Sequence, residues 1–201
     1  LGQIMVTDLT FYNEKIFVGT NRILFNNRIG QTWINLVDQK SRWDYVNFIT
    51  TFGNCIKQKS EVLLLGLGGG TVANQLIKEY KFNVDAVELD PRFEKVAKKY
   101  FFLDPSCNVI LDDARHYIRT TKKKYKLIIF DLFRGETSPG YALSYECFQE
   151  TKGLLKEKGL MVINFNGIIE GEHGLATRSL IMTLKKVGFK VDIIHTFNKD
   201  E

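Results

Sequence analysis

The sequence predicts an α/β fold: a doubly wound, mostly parallel sheet with a small N-terminal antiparallel β-appendage. From Glu61 onward, short apolar runs alternate with amphipathic helical stretches, which is the pattern of a parallel sheet covered on both faces. Before that point, residues 1–37 hold only short β-type runs separated by turn residues. We therefore divide the chain into a β-meander over residues 1–40 and a main domain over residues 41–201.

The N-terminal meander is too small to be stable by itself, so it is expected to pack on the main domain or on a second chain. Leu24 and Trp33 would be poorly covered in an isolated meander. This exposure favours a homodimer formed through the segment. An amphipathic helix predicted over residues 42–55 then leads into the main domain.

In the main domain we predict six strands and five helices. The strands cover residues 62–65, 84–88, 109–111, 127–130, 160–165 and 191–194. The helices cover residues 72–80, 92–101, 114–120, 144–156 and 175–187. Asp90-Pro91 marks one helix start, because Asp is a preferred N-cap and Pro suits the first helical position.

A glycine-rich turn joins the first of these strands to the first helix. Gly66, Gly68 and Gly70 let the backbone approach a ligand closely, and the helix N-terminus presents unpaired N–H groups. Glu88 lies about 20 residues beyond Gly68, the spacing at which a carboxylate accepts hydrogen bonds from ribose hydroxyls. The pattern predicts an adenosine site, with a plain strand–turn–helix junction as the alternative.

Other polar residues follow the later strands, at the sheet edge where ligands of such folds bind. Asp112 and Asp113 follow the third strand, Asp131 the fourth, and residues 164–166 the fifth. Asp112 or Asp113 either caps the helix that begins at Ala114 or binds ligand, and the two roles are compatible. Because no Ser or Thr follows Asp131 to suggest a local turn, a functional role is favoured there.

Composition excludes several classes of protein. The net charge of +5 comes from scattered lysines, so nucleic acid is disfavoured as a partner, and the run at residues 122–126 is interpreted as a solvated helix end. Neither a membrane span nor a signal peptide is evident. The three cysteines are expected to be buried thiols in a reducing cytosol. Neither the cysteines nor the histidines have metal-ligand spacing. These features favour a cytoplasmic protein without a metal.

Taken in order, these motifs resemble the spermidine synthase family, the aminopropyltransferases of polyamine biosynthesis, which have the Rossmann-like class I methyltransferase fold. The matching segments are Gln31, Tyr45, residues 62–71, Val87-Glu88-Leu89-Asp90-Pro91, Asp113-Ala114-Arg115, residues 125–131 and residues 139–148.

The resemblance implies that S-adenosylmethionine or its decarboxylated form lies over residues 66–70. It implies that Glu88 holds the ribose, Asp113 the adenine and Gln31 the tail of the nucleoside. Asp131 would lie beside the carbon that is transferred, and Tyr45 would contact the acceptor. The implied function is group transfer from a sulfonium donor.

Three positions depart from the family pattern. Gly69 falls where the family's glycine turn carries Asp, and Arg134 falls where its catalytic loop carries a second Asp. The family's Tyr-Gln pair becomes Tyr45-Val46. Because a diamine needs carboxylates for its ammonium groups, the acceptor is expected not to be putrescine, and Arg134 would suit an acidic or neutral one.

Three alternatives remain: a methyltransferase acting on another acceptor, a non-catalytic nucleoside-binding module of a larger protein, and an NAD-dependent dehydrogenase. Against the dehydrogenase, the turn has the pattern Gly-x-Gly-Gly-Gly rather than Gly-x-Gly-x-x-Gly. The aspartates at the later strand ends also fit a compact nucleoside better.

Overall fold

The structure, a computed structural model, describes residues 2–13, 16–133 and 139–195. Its strands are β1 (Ile4–Asn13), β2 (Ile16–Asn26), β3 (Ile29–Asn35), β4 (Glu61–Leu65), β5 (Asn83–Glu88), β6 (Asn108–Leu111), β7 (Tyr125–Phe130) and β8 (Leu155–Ile163). Its α-helices are α1 (Asp44–Thr51), α2 (Thr71–Tyr80), α3 (Pro91–Tyr100), α4 (Ala114–Thr120), α5 (Tyr145–Leu154) and α6 (Leu175–Val187). Short 3₁₀ turns cover Phe52–Cys55, Gly140–Leu143 and Glu172–Gly174.

The N-terminal sheet packs on the main domain. Strands β1, β2 and β3 form an antiparallel meander, and the β2–β3 hairpin turns through Asn27 and Arg28, both at positive φ. Leu24 is fully buried, in one cluster with Phe93 and Phe101 of the main domain. Leu24, which an isolated meander would leave poorly covered, is thus covered by these aromatic rings of the main domain rather than by a second chain.

The main sheet is parallel, with five strands in the order β6-β5-β4-β7-β8. Alternate residues of each strand face opposite sides, so the sheet has two cores. Val62 and Leu64 pack with α1 and α2, whereas Leu63 and Leu65 pack with α4, α5 and α6. Helices cover both faces, which confirms the doubly wound α/β prediction.

Two elements differ from expectation. No strand forms at 191–194, where the structure shows an irregular segment, since β8 pairs only with β7 among the described residues. The segment has strand-forming residues but no partner strand, and Ile193 and Ile194 are exposed. Strand β8 also begins five residues earlier than predicted, directly after α5 ends at Leu154.

Smaller corrections concern the cysteines and the lysine run. Cys107 and Cys147 are buried free thiols as expected, but Cys55 is exposed. Lys123 is more than part of a solvated helix end, because its ammonium lies 2.8 Å from the buried carboxylate of Asp85 and 2.6 Å from Glu61. None of the described helices is long and apolar enough to cross a membrane.

Candidate functional site

The polar residues that follow the strands are held by the sheet itself. In each case the backbone N–H of the residue after a strand donates to a carbonyl of the neighbouring strand. The pairs are Gly66 to Val87 at 2.9 Å, Asp112 to Glu88 at 3.1 Å, Asp131 to Leu65 at 2.9 Å, and Asn164 to Phe130 at 2.9 Å. The ladder thus continues one residue past the strands, which fixes these side chains at one edge of the sheet.

The glycine turn between β4 and α2 lies at the point where the strand order reverses. Gly66 has a φ of +95°, and a Cβ there would lie 2.3 Å from the carbonyl oxygen of Asp131. Only glycine suits this position, for both reasons. The approach brings the turn and the end of β7 together, so Gly66 and Asp131 are neighbours in the structure.

Gly69 is a different case, because its φ is not positive. Its N–H donates to Thr32 Oγ1 at 2.8 Å, and a Cβ at this position would lie 2.7 Å from Thr32 Cγ2. Thr32, from β3, is itself 2% exposed. The N-terminal sheet therefore braces the turn, and Thr32 would have to shift to admit a side chain at position 69. Sequence reasoning missed Thr32, since its residue type carries no such signal.

Glu88 ends β5 beside this turn. Its Oε2 accepts from the Leu67 N–H at 3.0 Å and its Oε1 from the Asp90 N–H at 2.9 Å. Burial raises the pKa of the carboxyl, and these backbone N–H donors oppose the rise. The backbone N–H groups of Gly68 and Leu89 also lower this pKa, so four backbone donors surround the carboxylate.

Asp112 and Asp113 divide the capping and pairing roles. Asp113 Oδ1 caps α4 by accepting from the N–H groups of Arg115 and His116, at 2.9 and 3.0 Å. Its Oδ2 accepts from the phenol of Tyr141 at 3.3 Å. Asp112 pairs with the His116 ring nitrogen at 2.8 Å. Capping by Asp113 is thus observed, and His116 has a partner that the sequence did not suggest.

Asp131 follows β7, where it has little access to solvent. Burial raises the pKa of its carboxyl to about 6, although the side-chain amide of Asn164 donates to Oδ1 at 2.9 Å and lowers it. The phenol of Tyr45 lies close enough that burial and the charge of Asp131 hold the Tyr45 pKa well above its usual value. Asp131 is therefore a partly buried carboxylate that no cation of the described residues compensates.

A cavity of about 530 Å³ brings the predicted site residues together. Its described lining includes Gln31, Tyr45, Gly66, Gly68, Glu88, Asp112, Asp113 and Asp131. Gly70 does not line it and instead caps α2 in a left-handed conformation. Arg134 lies outside the described residues.

The described lining of this cavity is acidic. It holds five carboxylates, those of Glu88, Asp90, Asp112, Asp113 and Asp131, and no Lys, Arg or His. Across the described chain, no group of three His, Cys, Asp or Glu side chains is arranged to hold a metal ion. A larger cavity of about 680 Å³ runs along β8 and shares only Tyr45 with the predicted site residues.

Comparison with known proteins gives one family. The family model for the spermine/spermidine synthase domain matches residues 44–197. The polyamine aminopropyltransferase of Vibrio vulnificus is 37% identical over 134 residues, which make up 63% of this chain and 44% of that protein. The matched segment thus spans less than half the length of this curated relative.

Solved structures show the same fold. A probable spermidine synthase from Corynebacterium glutamicum superposes with a TM-score of 0.73 at 20% identity, over 89% of this chain and 70% of that one. Human methyltransferase-like protein 13, in complex with SAH, superposes with a TM-score of 0.58 at 22% identity, over 72% of each chain. These likenesses confirm the Rossmann-like methyltransferase fold.

Proposed function

The chain belongs to the spermine/spermidine synthase family, and from that premise we propose that it is an alkyltransferase. The proposed donor is S-adenosylmethionine or its decarboxylated form, and the group transferred is methyl or aminopropyl. The acceptor is an amine other than putrescine.

The acidity of the 530 Å³ cavity carries this proposal. With five carboxylates and no cationic side chain in its described lining, the cavity favours a ligand of positive charge. A sulfonium nucleoside carries that charge, whereas the diphosphate of NAD would add two negative charges to the same space. The proposal therefore favours the sulfonium donors over a dinucleotide.

The geometry suggests a place for each part of the nucleoside. Glu88, which ends β5 and lines the cavity, is proposed to accept hydrogen bonds from the ribose hydroxyls. Asp113 uses Oδ1 for capping, so Oδ2 is the oxygen proposed for the adenine amino group, with Asp112 beside it. Gln31, on β3, is proposed to contact the tail over Gly68.

The chemistry asks for positioning and for one proton acceptor. The acceptor nitrogen attacks the carbon next to the sulfonium, a C–N bond forms, the C–S bond breaks, and a neutral thioether leaves. The attacking amine loses a proton, which Asp131 is proposed to take, with Tyr45 beside the acceptor. A carboxyl with a pKa of about 6 is ionised at neutral pH and still basic enough for this role.

The residues around the end of β7 support the proposal that the acceptor is not putrescine. Around the end of β7, the described lining has one carboxylate, that of Asp131, beside the uncharged residues Tyr45, Leu132 and Phe133. A diamine would leave its second ammonium without a carboxylate there, which costs several kcal/mol in a partly desolvated cleft. The sequence places the cation Arg134 where the family has Asp, so an acidic or neutral acceptor is proposed instead.

Product analysis tests the proposal. The purified protein is incubated with each donor and either putrescine or one of a panel of neutral and acidic amines, and the released thioether is identified by mass spectrometry. S-adenosylhomocysteine reports methyl transfer, and methylthioadenosine reports aminopropyl transfer. Robust transfer to putrescine would contradict the acceptor proposal, and donor binding without any product would indicate a non-catalytic module.

A homodimer through the N-terminal sheet is also proposed. Its outward side exposes Met5, Leu9, Phe11 and Val18, although Leu24 is buried. A monodisperse monomer in light scattering at high concentration would contradict it. The exposed free thiol of Cys55 fits a reducing compartment, so the cytoplasm is the proposed location.

A further inference from the structure

Asn164 is the residue after β8, directly beside Asp131. Its N–H donates to the Phe130 carbonyl at 2.9 Å, and the Asp131 N–H donates to the Leu65 carbonyl at 2.9 Å. Phe130 pairs with Ile163 in the parallel register, so Asp131 and Asn164 occupy equivalent places on adjacent strands. Equivalent places in a parallel sheet put the two side chains on the same face.

The two side chains are joined by a hydrogen bond of 2.9 Å, from Asn164 Nδ2 to Asp131 Oδ1. Within the described residues, Asn164 is the side-chain donor to Asp131, and no cation pairs with this carboxylate. The bond uses Oδ1, so Oδ2 is the oxygen proposed to accept from a ligand in the cavity. Because the sheet fixes the backbone of both residues, neither end of this hydrogen bond depends on a flexible loop.

From this arrangement we propose that Asn164 is a positioning residue for Asp131, which orients the carboxylate and keeps it ionised at neutral pH. The inference rests on the proposed function, in which Asp131 accepts the proton of the attacking amine. An amide donor stabilises the charged carboxylate more than the neutral carboxyl, because the neutral group accepts a weaker hydrogen bond.

The surroundings make this amide important. The titratable groups that share the cavity with Asp131 are Tyr45, from α1, Tyr141, and the carboxylates of Glu88, Asp90, Asp112 and Asp113. None of these favours a further negative charge. Burial raises the pKa of Asp131 to about 6, and Asn164 is the group that opposes the rise.

Titration of Asp131 tests the proposal without an acceptor. Aspartate carboxyl carbons are labelled with ¹³C, and the D131N variant identifies the Asp131 signal in the spectrum. The unaltered protein should titrate near pH 6. N164L removes the donor at similar volume and should move the midpoint upward by about one to two units, the worth of a charge-assisted hydrogen bond.

N166L is the matched control, because Asn166 is exposed two residues further along the same segment. It should leave the midpoint unchanged. If N164L fails to fold, N164D keeps the shape, and two carboxyls that share one proton should likewise raise the midpoint. A midpoint that stays in place in a folded N164 variant overturns the proposal, as does an ordinary midpoint near 4 in the unaltered protein.

Kinetics adds a second measurement. N164L should leave the donor dissociation constant within twofold, lower the transfer rate at pH 7 and move the pH–rate profile to higher pH. A purely structural role would instead lower the rate equally at every pH, which would contradict the proposal. If the unaltered protein binds neither sulfonium nucleoside, the proposed function fails, and the Asp131 titration still decides the contact with Asn164.

Discussion

Replacing Asp131 by Asn should make the protein more stable at alkaline pH while abolishing transfer. Asp131 is a partly buried carboxylate that no cation of the described residues compensates, and desolvation raises its pKa to about 6. The amide oxygen of D131N still accepts a hydrogen bond from Asn164, so the contact at 2.9 Å has a neutral replacement. The variant removes the charge and keeps the shape.

The size and sign follow from proton linkage. In the unfolded chain the carboxyl has a pKa of about 3.9, and in the folded protein it has one of about 6. Between these values the folded state binds a proton that the unfolded state has lost, so stability falls as pH rises through this window. Two pKa units correspond to about 3 kcal/mol. Above this pH window the full loss of stability is present, and below about pH 4 ionisation of Asp131 costs no stability.

Urea unfolding of both proteins at pH 4 and pH 8 measures this effect. At pH 8, D131N should be more stable than the unaltered protein by up to about 3 kcal/mol, and at pH 4 the two should be nearly equal. A difference that is the same at both pH values would refute the reasoning, since it would show that the carboxylate is not held uncompensated. A less stable variant at pH 8 would refute it as well.

Two further substitutions follow from the contacts of the site. E88A should weaken donor binding by about 2–3 kcal/mol and also lower stability by about 1–3 kcal/mol, because the N–H groups of Leu67 and Asp90 lose their acceptors; calorimetry and urea unfolding measure both, and unchanged affinity removes the ribose assignment. T32V should weaken donor binding several-fold by leaving the Gly69 N–H unpaired, whereas T32S keeps the hydroxyl and should not; equal titrations for the two variants would mean that Thr32 does not brace the turn.

The architecture could be predicted from sequence because its signals are local. Apolar runs and helical periodicity gave the strands and helices, and the strand ends gave the positions of Glu88, Asp113 and Asp131. A parallel sheet necessarily gathers those ends at one edge. The strand predicted at residues 191–194 failed because pairing is not local, and the described chain offers it no neighbour.

The details of the site depended on contacts between distant segments, which no local signal reveals. Thr32 meets Gly69 across 37 residues of sequence, and Asn164 meets Asp131 across 33. The sequence did not show which of Asp112 and Asp113 caps α4. The structure assigns the cap to Asp113 and pairs Asp112 with His116. Residue type and spacing thus predicted where the site lies, and packing decides how its groups are held.

Isothermal titration of the unaltered protein with S-adenosylmethionine, decarboxylated S-adenosylmethionine and NAD tests the central claim that the acidic cavity is a sulfonium-nucleoside site. We expect at least one of the sulfonium nucleosides to bind with one-to-one stoichiometry, with its affinity reduced in E88A, and we expect no binding of NAD. Binding of NAD without binding of either sulfonium nucleoside would contradict the claim.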